Sequence, residues 1–294
     1  MKTALDCIPC LLRQTLEAAR LVSADPAVHE QAVREYLRSA AALDLDQSPP
    51  AIAQHIHRRL RQMTGIEDPY RAAKARQNQA SMALLPALRA EIRSSASPLM
   101  TAVRIAIAAN RIDMGVHGDI ADDDVQQAVR CALTEPFFGE QNAFCQALAE
   151  ARSILYLADN SGEIAFDRLL IEQIGPSRIT LAVRGAPVLN DATRADARTV
   201  GLDEMVEVID NGSDAPGTLL EDCSPEFRRR FFAADLILAK GQGNFESLSH
   251  QPAKLFFLFK AKCAMVADHV GQPVGTQVLV RSKAAQKQSV GYRA

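Results

Sequence analysis

The stretch SILYLADNSGEIAFDRLLIEQI, Ser153 to Ile174, decides the fold. Ser153–Ala158 is short and mostly apolar, with β-branched and aromatic members. It is long enough for a buried strand and too short for a helix by itself. It stops at Asp159-Asn160-Ser161-Gly162-Glu163, after which apolar residues return at helical spacing as Ile164, Phe166, Leu169, Leu170 and Ile174. A carboxylate and an amide thus stand at the carboxyl end of a core strand, just before a helix. Open α/β sheets bind their ligands at that edge, and the first N–H groups of a helix offer an anion site. The reading is that Asp159 and Asn160 hold a divalent metal ion there, while the helix start at Ser161, Gly162 and Glu163 helps hold a phosphate. Helix capping by Asp159 or Ser161 competes with it. What favours the ligand reading is that two later strand ends carry similar polar residues.

From Ser153 onward the pattern alternates. Strands are predicted at Ile154–Ala158, Ile179–Val183, Val206–Ile209, Leu236–Ala239, Leu255–Phe259 and Gln277–Val280, with helices at 163–174, 193–200, 225–233 and 261–270 between most of them. That order is the signature of a mostly parallel, Rossmann-like α/β sheet with helices on both faces. Before it, the chain reads as helices: Pro9–Val22, Pro26 to about Ala42, Ala51–Met63, a long one opened by Asp68-Pro69-Tyr70, Pro98 to about Asn110, one capped by Asp122-Asp123-Asp124, and Phe137–Glu150. The expected organisation is an N-terminal helical domain, 1–150, and an α/β metal- and phosphate-binding domain, 151–294.

The second polar strand end is Arg184-Gly185-Ala186-Pro187-Val188-Leu189-Asn190-Asp191. Neighbouring strand ends lie within ångströms of each other, so Asp191 can meet Asp159 and Asn160 across one crevice. Two carboxylates and an amide oxygen are hard ligands, suited to Mg²⁺ or Mn²⁺. One divalent ion neutralises the two carboxylates, so an incoming phosphate is not repelled. The third strand end is Lys240-Gly241-Gln242-Gly243-Asn244-Phe245-Glu246, where Lys240 can meet a phosphate oxygen as a point charge. A plain turn is the competing reading, since two glycines without a third make no dinucleotide fingerprint.

With 294 residues, 48% apolar and 23% charged, the chain has ordinary globular composition, and its net charge of -2 carries no basic footprint for nucleic acid. Arg228-Arg229-Arg230 reads as solvated helix surface. No apolar run approaches the roughly 18 residues a membrane span needs, and the start MKTALDCIPC lacks a secretory core, so a cytoplasmic location is expected. Cys7-Ile8-Pro9-Cys10 has no second pair with which to build a structural zinc site, and His55 and His57 point to different faces of one helix.

Taken together, D-N-S-G-E, V-L-N-D-A-T and K-G-Q-G-N-F-E, in this order and after these strands, resemble the damage-control phosphatase family, metal-dependent enzymes also catalogued as domain of unknown function eighty-nine. The N-terminal D-C-I-P-C, the D-P-Y-R-A-A-K-A-R-Q-N run at 68–78, A-N-R-I-D at 109–113 and the late K-A-K-C-A-M-V-A with P-V-G-T-Q-V-L-V fit as well, so the resemblance spans nearly the whole chain. The C-x-x-C is similar to the mostly prokaryotic branch. The resemblance implies that Asp159, Asn160 and Asp191 ligate the ion, with Mg²⁺, Mn²⁺, Co²⁺ and Ni²⁺ as candidates, and that Lys240 lies at the phosphate. It also implies substrate-binding residues in the helical half, with Asn110 and Asp113 as candidates, and small phosphorylated metabolites such as sugar phosphates as substrates.

The expected activity is phosphomonoester hydrolysis, by water activated at the metal or through attack by Asp159 itself. The first route is preferred, because the D-x-D of aspartyl-phosphate phosphatases is absent, with Ser at 161. The rivals are a Rossmann-like methyltransferase, disfavoured by the single glycine of D-N-S-G-E, and a non-catalytic phosphometabolite-binding protein.

Overall fold

The computed structural model describes residues 1–109, 132–252 and 254–282. Five helices come first: α1 Cys7–Val22, α2 Pro26–Ala40, α3 Pro49–Thr64, α4 Arg71–Ser94 and α5 Pro98–Ala108. Then strands and helices alternate through β1 Phe137–Gly139, α6 Gln141–Glu150, β2 Ile154–Leu157, α7 Glu163–Ile174, β3 Ile179–Val183, α8 Arg194–Thr199, β4 Glu207–Asp210, α9 Pro225–Ala233, β5 Leu236–Lys240, α10 Gln242–Leu248, β6 Leu255–Lys260, α11 Ala264–Val270 and β7 Gln277–Arg281. The stretch predicted as one helix over Phe137–Glu150 is a strand followed by a helix. Phe137–Gly139 pairs in parallel with Gln277–Leu279, 140 residues away, and no local periodicity can announce such a partner. The helix expected after Asp122-Asp123-Asp124 lies outside the described residues.

The strands form one sheet in the order β1-β7-β6-β5-β2-β3-β4, parallel throughout except for the β6–β7 pair. Both faces of the sheet are covered, which is why its strands read as near-continuous apolar runs. Tyr156, Leu181, Leu238 and Leu258 face one core cluster, while Leu155, Leu157, Ala182, Ile237 and Phe257 face the other. The first cluster also contains Leu84, Leu88 and Ile92 of α4 and Val103 and Ile105 of α5, so these two helices share a core with the sheet. Helices α1 to α3 have two small clusters of their own, around Leu11, Tyr36 and Ile52 and around Ala18, Ala32 and Leu60. The order turns back at β2: the chain steps to β3 and β4 on one side, then crosses to β5 on the other. A switch point of this kind opens a crevice at the carboxyl edge of the sheet, here flanked by β2, β3 and β5.

Helix α3 is clamped to the loop after β4. Gln54 donates to Asp214 and Asp222, each at 2.7 Å, and Arg58 and Arg61 both pair with Asp214. His57 is the buried histidine of this helix, and its Nε2 has no hydrogen-bond partner. Burial, helped by Arg61, pushes its imidazole down to about 4. The folded protein therefore resists a proton that the unfolded chain accepts near pH 6.5, so this residue's contribution is complete above that pH and is lost as the pH falls toward about 4. By linkage the loss is about 3 kcal/mol. Urea unfolding at neutral pH and at about pH 4 should show that much extra acid destabilisation relative to His57→Gln.

Candidate active site at the carboxyl edge of the sheet

Backbone hydrogen bonds lace together the loops that follow β2 and β3. Ser161 N–H donates to Asn190 O at 2.8 Å, Ala192 N–H to Asp159 O at 2.8 Å, and Arg184 N–H to Ala192 O at 2.9 Å, while Asn160 and Asp191 face each other in an isolated β-bridge. Residues thirty apart in sequence are thus brought side by side. Leu189 holds the approach to Asp191 in the left-handed region, φ 46°, which costs a residue with a Cβ on the order of 1–2 kcal/mol.

The side chains of Asp159, Asn160 and Asp191 are all buried. Asn160 Nδ2 donates to Asp159 Oδ2 at 2.8 Å and to Glu163 Oε2 at 3.3 Å. Asp191 Oδ2 accepts from Arg184 Nε at 2.6 Å, and the Nη2 of the same arginine lies 3.9 Å from Asp159 Oδ1. From the β5 side, Gly241 closes over the Asp159 carboxylate. A Cβ there would stand 2.0 Å from Asp159 Oδ2, and the residue has φ +81°. The first glycine of K-G-Q-G therefore makes room for a carboxylate.

Lys240 departs from the expectation of a cation facing a phosphate. Its ammonium is fully buried and gives hydrogens to Ala106 O at 2.8 Å, Glu163 Oε1 at 2.7 Å and Asp167 Oδ1 at 2.5 Å. An ammonium has three hydrogens, and all three are committed. Burial pulls its pKa down, but Asp167 and Glu163 outweigh that and hold it above the ordinary range. Tyr156 Oη completes the group by donating to Asp167 Oδ1 at 2.8 Å. The helix start also points inward: Gly162 N–H donates to Asn78 Oδ1 at 2.6 Å, and Ser161 N–H and Oγ are taken by Asn190 O and by Gln77 Oε1 at 3.1 Å. These buried donors need partners, and helix α4 supplies two of them. Asn110 and Asp113 lie outside the described residues.

Helix α4 was the least legible contributor. Asn78, almost fully buried, also donates to Asp196 Oδ1 at 2.9 Å, and Lys74 Nζ pairs with the other oxygen of Asp196 at 2.9 Å. Asp196 is the third residue of α8 and forms a capping box with Thr193. One helix thereby braces both polar loops. The available signal was a Lys and an Asn at i, i+4, on the same face as Leu85 and Leu88. Asn78→Ala leaves Gly162 N–H buried without an acceptor, so urea unfolding should show a loss of about 1–3 kcal/mol.

The electrostatics of the crevice are unbalanced. Among the described residues, Asp159, Glu163, Asp167 and Asp191 are buried with Lys240 and Arg184 as the buried cations beside them, the Lys74–Asp196 pair adds one charge of each sign, and Lys262 acts from the exposed surface. The formal excess is two negative charges. Burial first, then Glu163 and Asp191, push the Asp159 carboxyl up to about 8. Burial also raises Asp191, against the pull of Arg184, and raises Asp167 to about 6. Among the described residues, no three His, Cys, Asp or Glu side chains surround one metal position. The set that fits an ion is two aspartates with one amide, all oxygen donors, and a hard divalent cation matches both their chemistry and the charge excess.

Cys7 and Cys10 lie in the first turn of α1 as free thiols. Burial pushes the Cys7 thiol up, the opposite of what an activated thiolate needs. No described helix is long and apolar enough to cross a membrane.

Fold and site together define an open α/β protein with an acidic, oxygen-lined centre at its topological switch point. The model of the damage-control phosphatase ARMT1-like domain matches residues 3–278, so the chain belongs to that family. It is 35% identical to a damage-control phosphatase of Archaeoglobus fulgidus over 95% of this chain and 98% of that protein. It is 30% identical to a damage-control phosphatase of Pyrococcus horikoshii over 96% and 99% of the two chains. The crystal structure of a DUF89 family protein from Pyrococcus horikoshii superimposes with a TM-score of 0.87, covering 96% of this chain and 100% of that one at 30% identity.

Proposed function

We propose that this protein is a divalent-metal-dependent phosphatase that hydrolyses phosphomonoesters of small metabolites, sugar phosphates among them. The observation that carries this reading is the formal excess of two negative charges among the buried carboxylates around Asp159 and Asp191, with Asn160 between them. A fold that buries such an excess gains by taking up a cation there, and kinship with damage-control phosphatases supplies the reaction class.

In this reading Asp159, Asn160 and Asp191 hold the ion. When bound, it supplies charge neutralisation and Lewis acidity toward a phosphoryl oxygen. Glu163, fixed by Lys240, accepts from the Asn160 amide and so sets the orientation of that side chain. Gly241 lets the Asp159 carboxylate lie against the start of α10. Asp159, Asn160 and Asp191 are buried, and charge interactions are stronger in such surroundings than in bulk water.

Phosphate release from sugar phosphates and an aryl phosphate, with Mg²⁺, Mn²⁺, Co²⁺ and Ni²⁺ in turn, tests the proposal. Turnover should appear with at least one of these ions and vanish with a chelator. Release that persists undiminished in chelator, or none with any ion, would contradict it.

A further inference from the structure

We propose that Arg184, and not Lys240, is the side chain that binds the phosphoryl group, donating from Nη2 to a non-bridging oxygen of the phosphomonoester. The inference rests on the phosphatase reading above and adds to it the residue that recognises the anion. Any phosphate drawn to the acidic crevice needs a donor aimed into it. Of the described cations that act on Asp159 and Asp191, Lys262 is exposed. Lys240 has spent its three hydrogens, and Lys74 is paired with Asp196.

Arg184 differs. It is 2% exposed, its Nε holds Asp191 at 2.6 Å, and its Nη1 makes only long contacts, 3.4 Å to Asn244 Oδ1 and 3.5 Å to Thr218 Oγ1. Its Nη2 is buried with no hydrogen-bond partner, 3.9 Å from Asp159 Oδ1. An unsatisfied guanidinium N–H in a buried position costs on the order of 1–3 kcal/mol or more, so it is rarely left without a use. The planar fork is also the chemistry suited to phosphate: one edge stays on Asp191 while the other reaches the ligand.

Two features of the surroundings agree. The backbone N–H of Arg184 is pinned to Ala192 O and the residue forms a β-bridge with Thr193, so the side chain departs from a fixed point between the two loops. The same residue also lines a cleft of about 430 Å³ between α4 and α8, with Arg71, Lys74, Gly185 and Thr193 among its walls and none of Asp159, Asn160 and Asp191, so open volume lies on one side of this residue.

The test is calorimetric binding of inorganic phosphate to the Mn²⁺-loaded protein, with Mn²⁺ titrated separately and phosphate release from an aryl phosphate measured alongside. Arg184→Gln should weaken phosphate binding at least tenfold and lower kcat/KM by about 10²–10³-fold. It should leave Mn²⁺ affinity unchanged or tighter, because a positive charge beside Asp191 is gone. A purely structural arginine would do the reverse, weakening Mn²⁺ through a loosened Asp191 while the remaining sites bind phosphate normally. Arg184→Lys keeps the charge on Asp191 and loses the second donor, so it serves where the glutamine variant does not fold. It should also weaken phosphate several-fold with Mn²⁺ affinity intact. Phosphate affinity unchanged in a folded variant overturns the proposal. Wild-type protein that binds phosphate through Arg184 yet releases none from any ester would uphold the arginine and sink the phosphatase reading.

Discussion

Lys240→Met should destabilise the fold by about 3–5 kcal/mol, a large part of the roughly 5–15 kcal/mol that holds a domain together. The ammonium is the only cation in hydrogen-bond contact with Glu163 and Asp167 among the described residues, and both carboxylates are buried. Removing it leaves two charges with no counterion and frees Tyr156 and Ala106 from a shared network. Breaking a buried ion cluster from one side is costly for this reason, even though the intact cluster is a modest stabiliser. Urea unfolding measures the loss. The cycle is completed by Lys240→Met combined with Glu163→Gln and Asp167→Asn, which removes the stranded charges and should recover much of the stability. A change below about 1 kcal/mol for Lys240→Met would mean that the three groups are not coupled as described.

Asp159→Asn should behave in the opposite way: no loss of fold, and nearly complete loss of turnover. The Asp159 carboxyl is pushed up to about 8 by burial and by the Glu163 and Asp191 carboxylates, so its charge is an expense to the folded state. An amide of the same shape relieves it. In chelator, the variant should therefore be at least as stable as wild type, as expected where activity is bought with stability. Phosphate release should fall by about 10³-fold or more, because the variant removes a ligand charge and the electrostatics it supports. Asn160→Asp is the partner experiment. It adds a charge, so Mn²⁺ should bind at least as well, yet a third carboxylate repels the phosphate and turnover should still drop. A capping role at the helix start predicts neither result, since Asn and Asp cap helices almost equally. Full activity in both variants would leave that role as the explanation.

Much of this site was legible in the sequence because its parts are local. Ile179–Val183 and helix α7, Glu163–Ile174, appear at the boundaries their patterns predicted, and D-N-S-G-E and N-D-A-T stand at adjacent strand ends, as a parallel sheet requires. What could not be read depends on docking. Lys240 looked like a free cation because its partners Asp167 and Ala106 are 73 and 134 residues away. Arg184 looked like an ordinary strand-end residue because its importance lies in a bond it does not make. Asn78 lay in a helix where its neighbours across space, Gly162 and Asp196, give it a purpose. Strand β1 escaped for the same reason, since three residues acquire strand character only from β7.

The most direct test of the account is a calorimetric Mn²⁺ titration of wild type and Asp191→Asn, run beside phosphate release on the same preparations. Wild type should bind one Mn²⁺ per chain, the folded variant should bind it at least tenfold more weakly, and phosphate release should fall with it and vanish in chelator. Equal Mn²⁺ binding by the two proteins, or phosphate release that survives in Asp191→Asn, would contradict it.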